Sequence, residues 1–297
     1  LTSSLMRILI FGGNGMLGHK LVQILGAKFE AWTTVRNAFS DIEHFGIFNR
    51  ERTIEHVHVT EIDLVRHAIE KARPDVVINA TGVIKQLPES KDVVGTLKIN
   101  SVFPQRLAQL SRQFEFRLIT VSTDCVFSGE KGNYSETDIP DTHDVYGISK
   151  LLGEVRHDNC LTLRTSIIGR ELKTAHSLVE WFLGNRGKTT KGYVNAVYSG
   201  FPTIVLAEIL SEIIADHPDL EGVYHVSSNP INKFDLLNLL NKFYQANINI
   251  EPFEDHVIDR SLDSSDFRTV TGFSPPDWVQ MIQQMAADPT PYETWRK

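Results

Sequence analysis

The sequence predicts a doubly wound α/β fold, a parallel sheet with helices on both faces. Three observations carry this. Strands and helices alternate through the first half, the strands are apolar at every position instead of every second one, and the first strand runs into a glycine-rich turn. Arg7–Phe11 is a short apolar run closed by Gly12 and Gly13, and Met16, Leu17, Leu21, Val22 and Leu25 then recur at helical spacing. Glu30–Val35 reads as the second strand and His56–Val59 as the third, followed by a helix through Ala68 and Ile69. Asp75–Ala80 is a fully apolar fourth strand. Leu97–Arg112 is helical, Arg117–Ser122 is the fifth strand, Tyr146–Arg156 is helical, and Leu161–Thr165 is the sixth strand.

Beyond Ser166 the alternation breaks. A polar, glycine-containing stretch from Arg170 to Gly200 precedes a helix at Thr203–His217, a strand at Gly222–Val226 and a helix at Lys233–Tyr244. From Ile248 on, the elements are short and Pro275-Pro276 interrupts them beside Trp278. The division expected is a Rossmann-type nucleotide-binding domain over residues 1–169, with 200–228 returning to it. A smaller, discontinuous substrate domain would comprise 170–199 and 229–297, the cleft between the two holding the site.

Bulk properties narrow the class. A chain of 297 residues is long enough for one large core and an appendage, and no apolar run reaches the ~20 residues of a membrane helix. The net charge of −7 argues against a partner that presents a phosphate backbone, so no nucleic acid and no membrane is expected. Two cysteines, Cys125 and Cys160, fit a reducing, cytoplasmic setting. Leu1–Leu5 reads as an appended segment before a native start at Met6, not as a signal peptide.

Gly12, Gly15 and Gly18 form G-x-x-G-x-x-G between a strand and a helix, the context a dinucleotide turn requires. Glycine lets the backbone approach a pyrophosphate, and the unpaired N–H groups at the helix N-terminus stabilise its charge. At the end of the second strand an acidic residue would accept from a ribose 2′-hydroxyl. This chain has Thr34-Val35-Arg36 instead, and an arginine there suits a 2′-phosphate. NADPH is therefore favoured, with NADH still compatible; the alternative, Arg36 as a solvated loop charge, stays open. The expected cofactor surface comprises Gly12, Asn14, Gly15, Met16, Leu17, Gly18, Arg36, Asp63, Leu64, Ala80, Thr81, Gly82 and Lys150, with Asp63 placed to accept from the adenine amine.

Tyr146-Gly-Ile-Ser-Lys150 sets a phenol and an ammonium four apart, neighbours on one helical face. Ser122-Thr123-Asp124 ends the fifth strand, and carboxyl ends of strands are where this fold class binds ligands. In that arrangement Lys150 is expected to lower the Tyr146 pKa from its free value of ~10, making the phenol a proton donor to a carbonyl that Thr123 also contacts. Asn100 and Pro104 add a finer expectation. A helical proline frees the carbonyl four residues before it, and Asn100 would then bind a water relaying protons from Lys150. The competing reading is that the helix starts at Pro104.

These residues resemble the extended short-chain dehydrogenase/reductases, most closely the dTDP-4-dehydrorhamnose reductase branch. The likeness rests on Phe11–Gly18, Val121–Asp124, Val126–Gly129, Tyr146–Lys150, Leu163–Ser166, Leu262–Arg268 and Thr271–Trp278, and so runs nearly end to end. The resemblance implies catalytic roles for Thr123, Tyr146 and Lys150, and NADPH-dependent reduction of the 4-keto group of a nucleotide-activated 6-deoxysugar. Where such relatives often carry aromatics, this chain has Cys125, Ile167 and Ile168. Asn79–Gln86 is similar to a variant in polysaccharide-locus reductases. A UDP-linked 4-keto-6-deoxy or acetamido sugar therefore competes with dTDP-4-dehydrorhamnose.

Substrate contacts are expected from Lys85, Gln86, Thr123, Asp124, Cys125, Tyr146 and Arg260. Asp124 is followed by cysteine, not glutamate, which disfavours a dehydratase, and Arg36 disfavours an epimerase that retains NAD. A non-catalytic, NADP-binding regulatory subunit is the alternative from another class. His56 and His58 fall on one face of the expected third strand but have no third ligand, so no metal is expected. Monomer and homodimer are both compatible.

Overall fold

The computed structural model describes residues 5–84 and 91–295. The strands are β1 Arg7–Phe11, β2 Glu30–Thr34, β3 Thr53–Ile54, β4 Val76–Asn79, β5 Arg117–Val121, β6 Cys160–Arg164, β7 Ile167–Ile168, β8 Thr189–Tyr193, β9 Ala196–Tyr198, β10 Phe201–Pro202, β11 Gly222–His225, β12 Ile231–Asn232, β13 Asn249–Phe253 and β14 Ile258–Asp259. The helices are α1 Gly18–Leu25, α2 Ile62–Ala72, α3 Val93–Leu97, α4 Phe103–Phe114, α5 Val145–Leu152, α6 Leu178–Leu183, α7 Thr203–Asp216, α8 Lys233–Phe243, α9 Ser265–Thr271, α10 Trp278–Ala286 and α11 Tyr292–Trp295.

One sheet runs β3-β2-β1-β4-β5-β6-β11, and every neighbouring pair is parallel. The order reverses between β1 and β4, the crevice where this fold class takes its ligands. Ile8, Leu9, Ile10 and Phe11 are all fully buried because helices cover both faces. Ile8 and Ile10 join a core with Leu21, Leu206 and Leu210 that continues into Leu236, Leu240, Met281 and Ile282 of the C-terminal helices. Leu9 and Phe11 join the opposite core with Val65, Ala68, Phe103 and Leu107. The late elements α8 and α10 thus share a core with the sheet.

Three expected boundaries shift for local reasons. The third strand is Thr53–Ile54, not His56–Val59, because His56 takes a left-handed φ of 59° that breaks an extended run. His56 and His58 are exposed loop residues, and among the described residues no group of three potential metal ligands occurs. The helix expected at Leu97–Arg112 neither runs as plain α nor starts at Pro104. It continues from α3 through a π-helical turn, Lys98–Val102, into α4, where Phe103 N donates to the Lys98 carbonyl. The wider turn accommodates Pro104 without interrupting the helix. Lastly, α5 ends at Leu152 instead of Arg156, with Gly153 as its C-cap.

Candidate active site

The carboxyl ends of β1, β4 and β5 lie side by side on one edge of the parallel sheet. At β1, Gly12 adopts a φ of 88°, which favours glycine. A Cβ on Gly18 would collide with the Gly12 carbonyl, so α1 starts tight against the turn. Asn14, Gly15, Met16 and Leu17 complete this cradle, in which Gly15 N donates to the Gly12 carbonyl at 3.0 Å and His19 N to the Gly15 carbonyl at 3.2 Å. Such a cradle, which side chains would fill, fits a dinucleotide pyrophosphate. Arg36 is exposed immediately after β2. Asp63 and Leu64 lie in the first turn of α2, the former exposed and the latter half-buried. Ala80, Thr81 and Gly82 follow β4, and the Thr81 hydroxyl and amide both bond the Asn79 side chain at 2.6 and 3.1 Å.

Helix α5 is phased by its N-cap, since the Asp144 carboxylate accepts from Gly147 N at 2.8 Å. Gly147 packs so closely on the Cys125 carbonyl that a side chain there would clash. Tyr146 is thereby held over the end of β5, half-buried, and its hydroxyl hydrogen-bonds with Thr123. Thr123 Oγ1 also accepts from Cys125 N at 3.1 Å and donates to Asp124 Oδ1 at 3.3 Å. One turn along α5, the Lys150 ammonium donates to the Val121 carbonyl at 2.7 Å. Thr123, Tyr146 and Lys150 therefore reach the same strand end.

The electrostatics differ from the sequence expectation. Burial pushes the Tyr146 phenol above its ordinary range, and the nearby Thr123 hydroxyl, not Lys150, is the favourable influence. Burial also lowers Lys150 to about 8, opposed by the charge of Glu154. Glu154 is itself held by Arg164 at 2.7 and 2.8 Å and accepts from Ser122 at 3.0 Å. Asn100 ties two segments together through its side chain. Its side chain accepts from Val83 N at 2.9 Å and donates to Val83 O and Ser149 Oγ at 3.0 Å each, clamping the segment after β4 to α5. Its carbonyl packs against Gly153, where an added Cβ would collide with the oxygen.

On the far side of Thr123 lies a polar group of which the sequence analysis named Asp124, Cys125 and Arg260 but not Lys233 or Tyr198. Asp124 is only 5% exposed, its carboxyl raised by burial and pulled back by Cys125, Arg260, Lys233 and Ser166. Arg260 is fastened to the Phe127 carbonyl at 2.9 Å. Lys233, at the start of α8, sits 3.9 Å from the centre of the Tyr198 ring and is lowered by burial to about 8. Among the described residues the buried Tyr198 hydroxyl has no hydrogen-bond partner. Lys233 and Tyr198 belong to no local motif, and only the tertiary fold brings them here. Lys85 and Gln86 lie outside the described residues.

The strand order and the glycine turn define the class, an α/β protein with a Rossmann-type fold. Within it, residues 6–290 match the family model described as RmlD substrate binding domain, and the chain belongs to that family. A dTDP-4-dehydrorhamnose reductase of Aggregatibacter actinomycetemcomitans is 29% identical over 239 residues, covering 75% of this chain and 74% of the relative. The methionine adenosyltransferase 2 subunit beta of Xenopus tropicalis is 26% identical over 235 residues, covering 75% and 67%. Among solved structures, a dTDP-4-dehydrorhamnose reductase from Bacillus anthracis in complex with NADP superposes with a TM-score of 0.77 at 21% identity, over 95% of this chain and 98% of that one. Among the described residues no helix is long and apolar enough to cross a membrane.

Proposed function

We propose that this protein reduces the 4-keto group of a nucleotide-activated 6-deoxysugar with NADPH as hydride source. The observation that carries this reading is the meeting of Thr123, Tyr146 and Lys150 at the end of β5, on the same edge of the sheet as the glycine cradle. In this reading the turn from Gly12 to Gly18 holds the pyrophosphate, Arg36 meets a 2′-phosphate, and Asp63, Leu64 and Ala80–Gly82 line the adenosine and ribose side. When bound, NADPH supplies hydride to the carbonyl carbon. Tyr146 gives its proton to the carbonyl oxygen, so the ketone gains one hydrogen on carbon and one on oxygen. Thr123 orients that oxygen, and Lys150 compensates the phenolate left behind. Asn100 is a positioning residue that fixes α5.

For the sugar, Asp124 and Lys233 form a complementary pair, because a ring hydroxyl can donate to the first and accept from the second. Tyr198 and Arg260 extend the polar wall, and the half-buried Ile167 adds an apolar surface suited to a methyl group. Incubation with NADPH and a panel of dTDP- and UDP-linked 4-keto-6-deoxyhexoses tests the proposal. One of them should yield a product heavier by two hydrogens, with matching loss of NADPH. The relationship to the adenosyltransferase subunit favours a second reading, a dinucleotide-binding regulatory subunit. Tight NADPH binding with no turnover of any sugar in the panel would favour that reading instead.

A further inference from the structure

The family match ends at residue 290, yet the chain beyond it is built into the dinucleotide-binding half. Tyr292 is 3% exposed and His19, the second residue of α1, is fully buried. His19 Nδ1 lies 2.8 Å from the Gly15 carbonyl, and His19 Nε2 lies 2.7 Å from the Tyr292 hydroxyl. A carbonyl only accepts, so Nδ1 carries the proton, and Nε2 of the neutral ring accepts from Tyr292. The other approach of the Tyr292 hydroxyl, to Asp288 Oδ2 at 3.5 Å, is much the longer. Burial holds His19 at about 4, consistent with a neutral ring.

The next residue repeats the attachment. The buried Lys20 ammonium pairs with Asp288 and donates to Thr290 Oγ1 at 2.9 Å. At its other end the segment places Trp295 against Phe45, ring centres 4.8 Å apart, in a cluster that includes Val35. Arg170 braces the middle, bonding Glu293 at 2.8 Å with its guanidinium 4.8 Å from the Tyr292 ring centre. Asp288–Trp295 thus spans from the middle glycine of the cradle to the end of β2 beside Arg36.

We propose that Tyr292 and His19 are positioning residues for the dinucleotide turn, the C-terminal segment holding Gly15 in place so that cofactor affinity depends on it. The inference rests on the reading of that turn as the pyrophosphate site. Its test is NADPH titration of the Tyr292→Phe variant, which keeps the ring and removes the hydroxyl. The dissociation constant should rise by about 2- to 10-fold, the loss of one hydrogen bond, while kcat at saturating NADPH and KM for the keto sugar stay as in wild type. Because coupling is reciprocal, NADPH added to wild-type protein should slow amide hydrogen exchange across residues 288–295.

An unchanged dissociation constant in the variant, or kcat and the sugar KM changing in parallel with it, overturns the inference. If the variant fails to fold, the wild-type exchange experiment decides: slowing supports the coupling, and exchange indifferent to NADPH overturns it. Wild-type protein that bound no NADPH would remove the cofactor reading as well. Wild type and variant binding alike would remove the positioning role alone.

Discussion

Tyr146 and Lys150 carry opposite consequences of the same burial. The phenol is pushed up and stays protonated through the neutral range, whereas the ammonium is brought down to about 8. If Lys150 must be charged to compensate the phenolate, kcat/KM for the ketone should be flat below that value and fall as pH rises through it, when the lysine loses its proton. Lys150→Arg keeps its charge at any working pH, so a pH profile of that variant should be slower overall but lack the alkaline fall. Tyr146→Phe should lower kcat by about 100- to 10,000-fold, the usual worth of a positioned proton donor, with NADPH affinity retained by direct titration. Lys233→Met should instead raise KM for the sugar by about 10-fold or more, as expected for a charged hydrogen bond, and leave NADPH binding unaltered. Lys233 was not legible in the sequence. It stands far along the chain from Asp124, at the start of an ordinary amphipathic helix, and its meaning appears only when α8 packs beside β9.

At the level of elements, the π turn, α5 and the glycine between them form one joint. Gly153 lies against the Asn100 carbonyl with Pro104 beside it, so a methyl group has no room. Gly153→Ala should cost roughly 1–3 kcal/mol in a denaturant melt, the range for overpacking, and should reduce turnover by tilting α5 and displacing Tyr146 and Lys150 together. The strand pattern was legible because parallel strands buried on both faces must be apolar throughout, as in Ile8–Phe11 and Val76–Ile78. The glycine turn was legible because its context is local. The third strand was misplaced because β-branched content around His56–Val59 says nothing of the left-handed φ at His56. Nor does Asn100-Ser-Val-Phe-Pro104 reveal whether proline breaks, starts or widens a helix; packing against α5 selects the wide turn.

Across the whole molecule, two buried histidines couple the fold to acid. His225 resembles His19 in being neutral by geometry: its Nδ1 faces the Tyr134 carbonyl at 3.0 Å and its Nε2 accepts from Arg164 at 3.2 Å. Both rings are lowered to about 4 from an ordinary 6.5. Between these values the unfolded chain binds protons that the folded chain refuses, so stability falls as pH drops from 6.5 to 4. The loss should approach about 3 kcal/mol per histidine, read from urea midpoints across that window, and His225→Gln should remove roughly half of it. The proposed function depends on a different whole-molecule property, the meeting of the glycine turn, Tyr146 and the Asp124–Lys233 group at the carboxyl edge of the sheet. Its most direct measurement is the fate of deuterium placed on the transferable position of the nicotinamide. The account predicts a reduced nucleotide-sugar with one deuterium on carbon 4 and none elsewhere, formed by wild type and at trace rate by Tyr146→Phe. Labelled cofactor recovered unchanged from every 4-keto nucleotide-sugar, or deuterium found on another carbon, would contradict it.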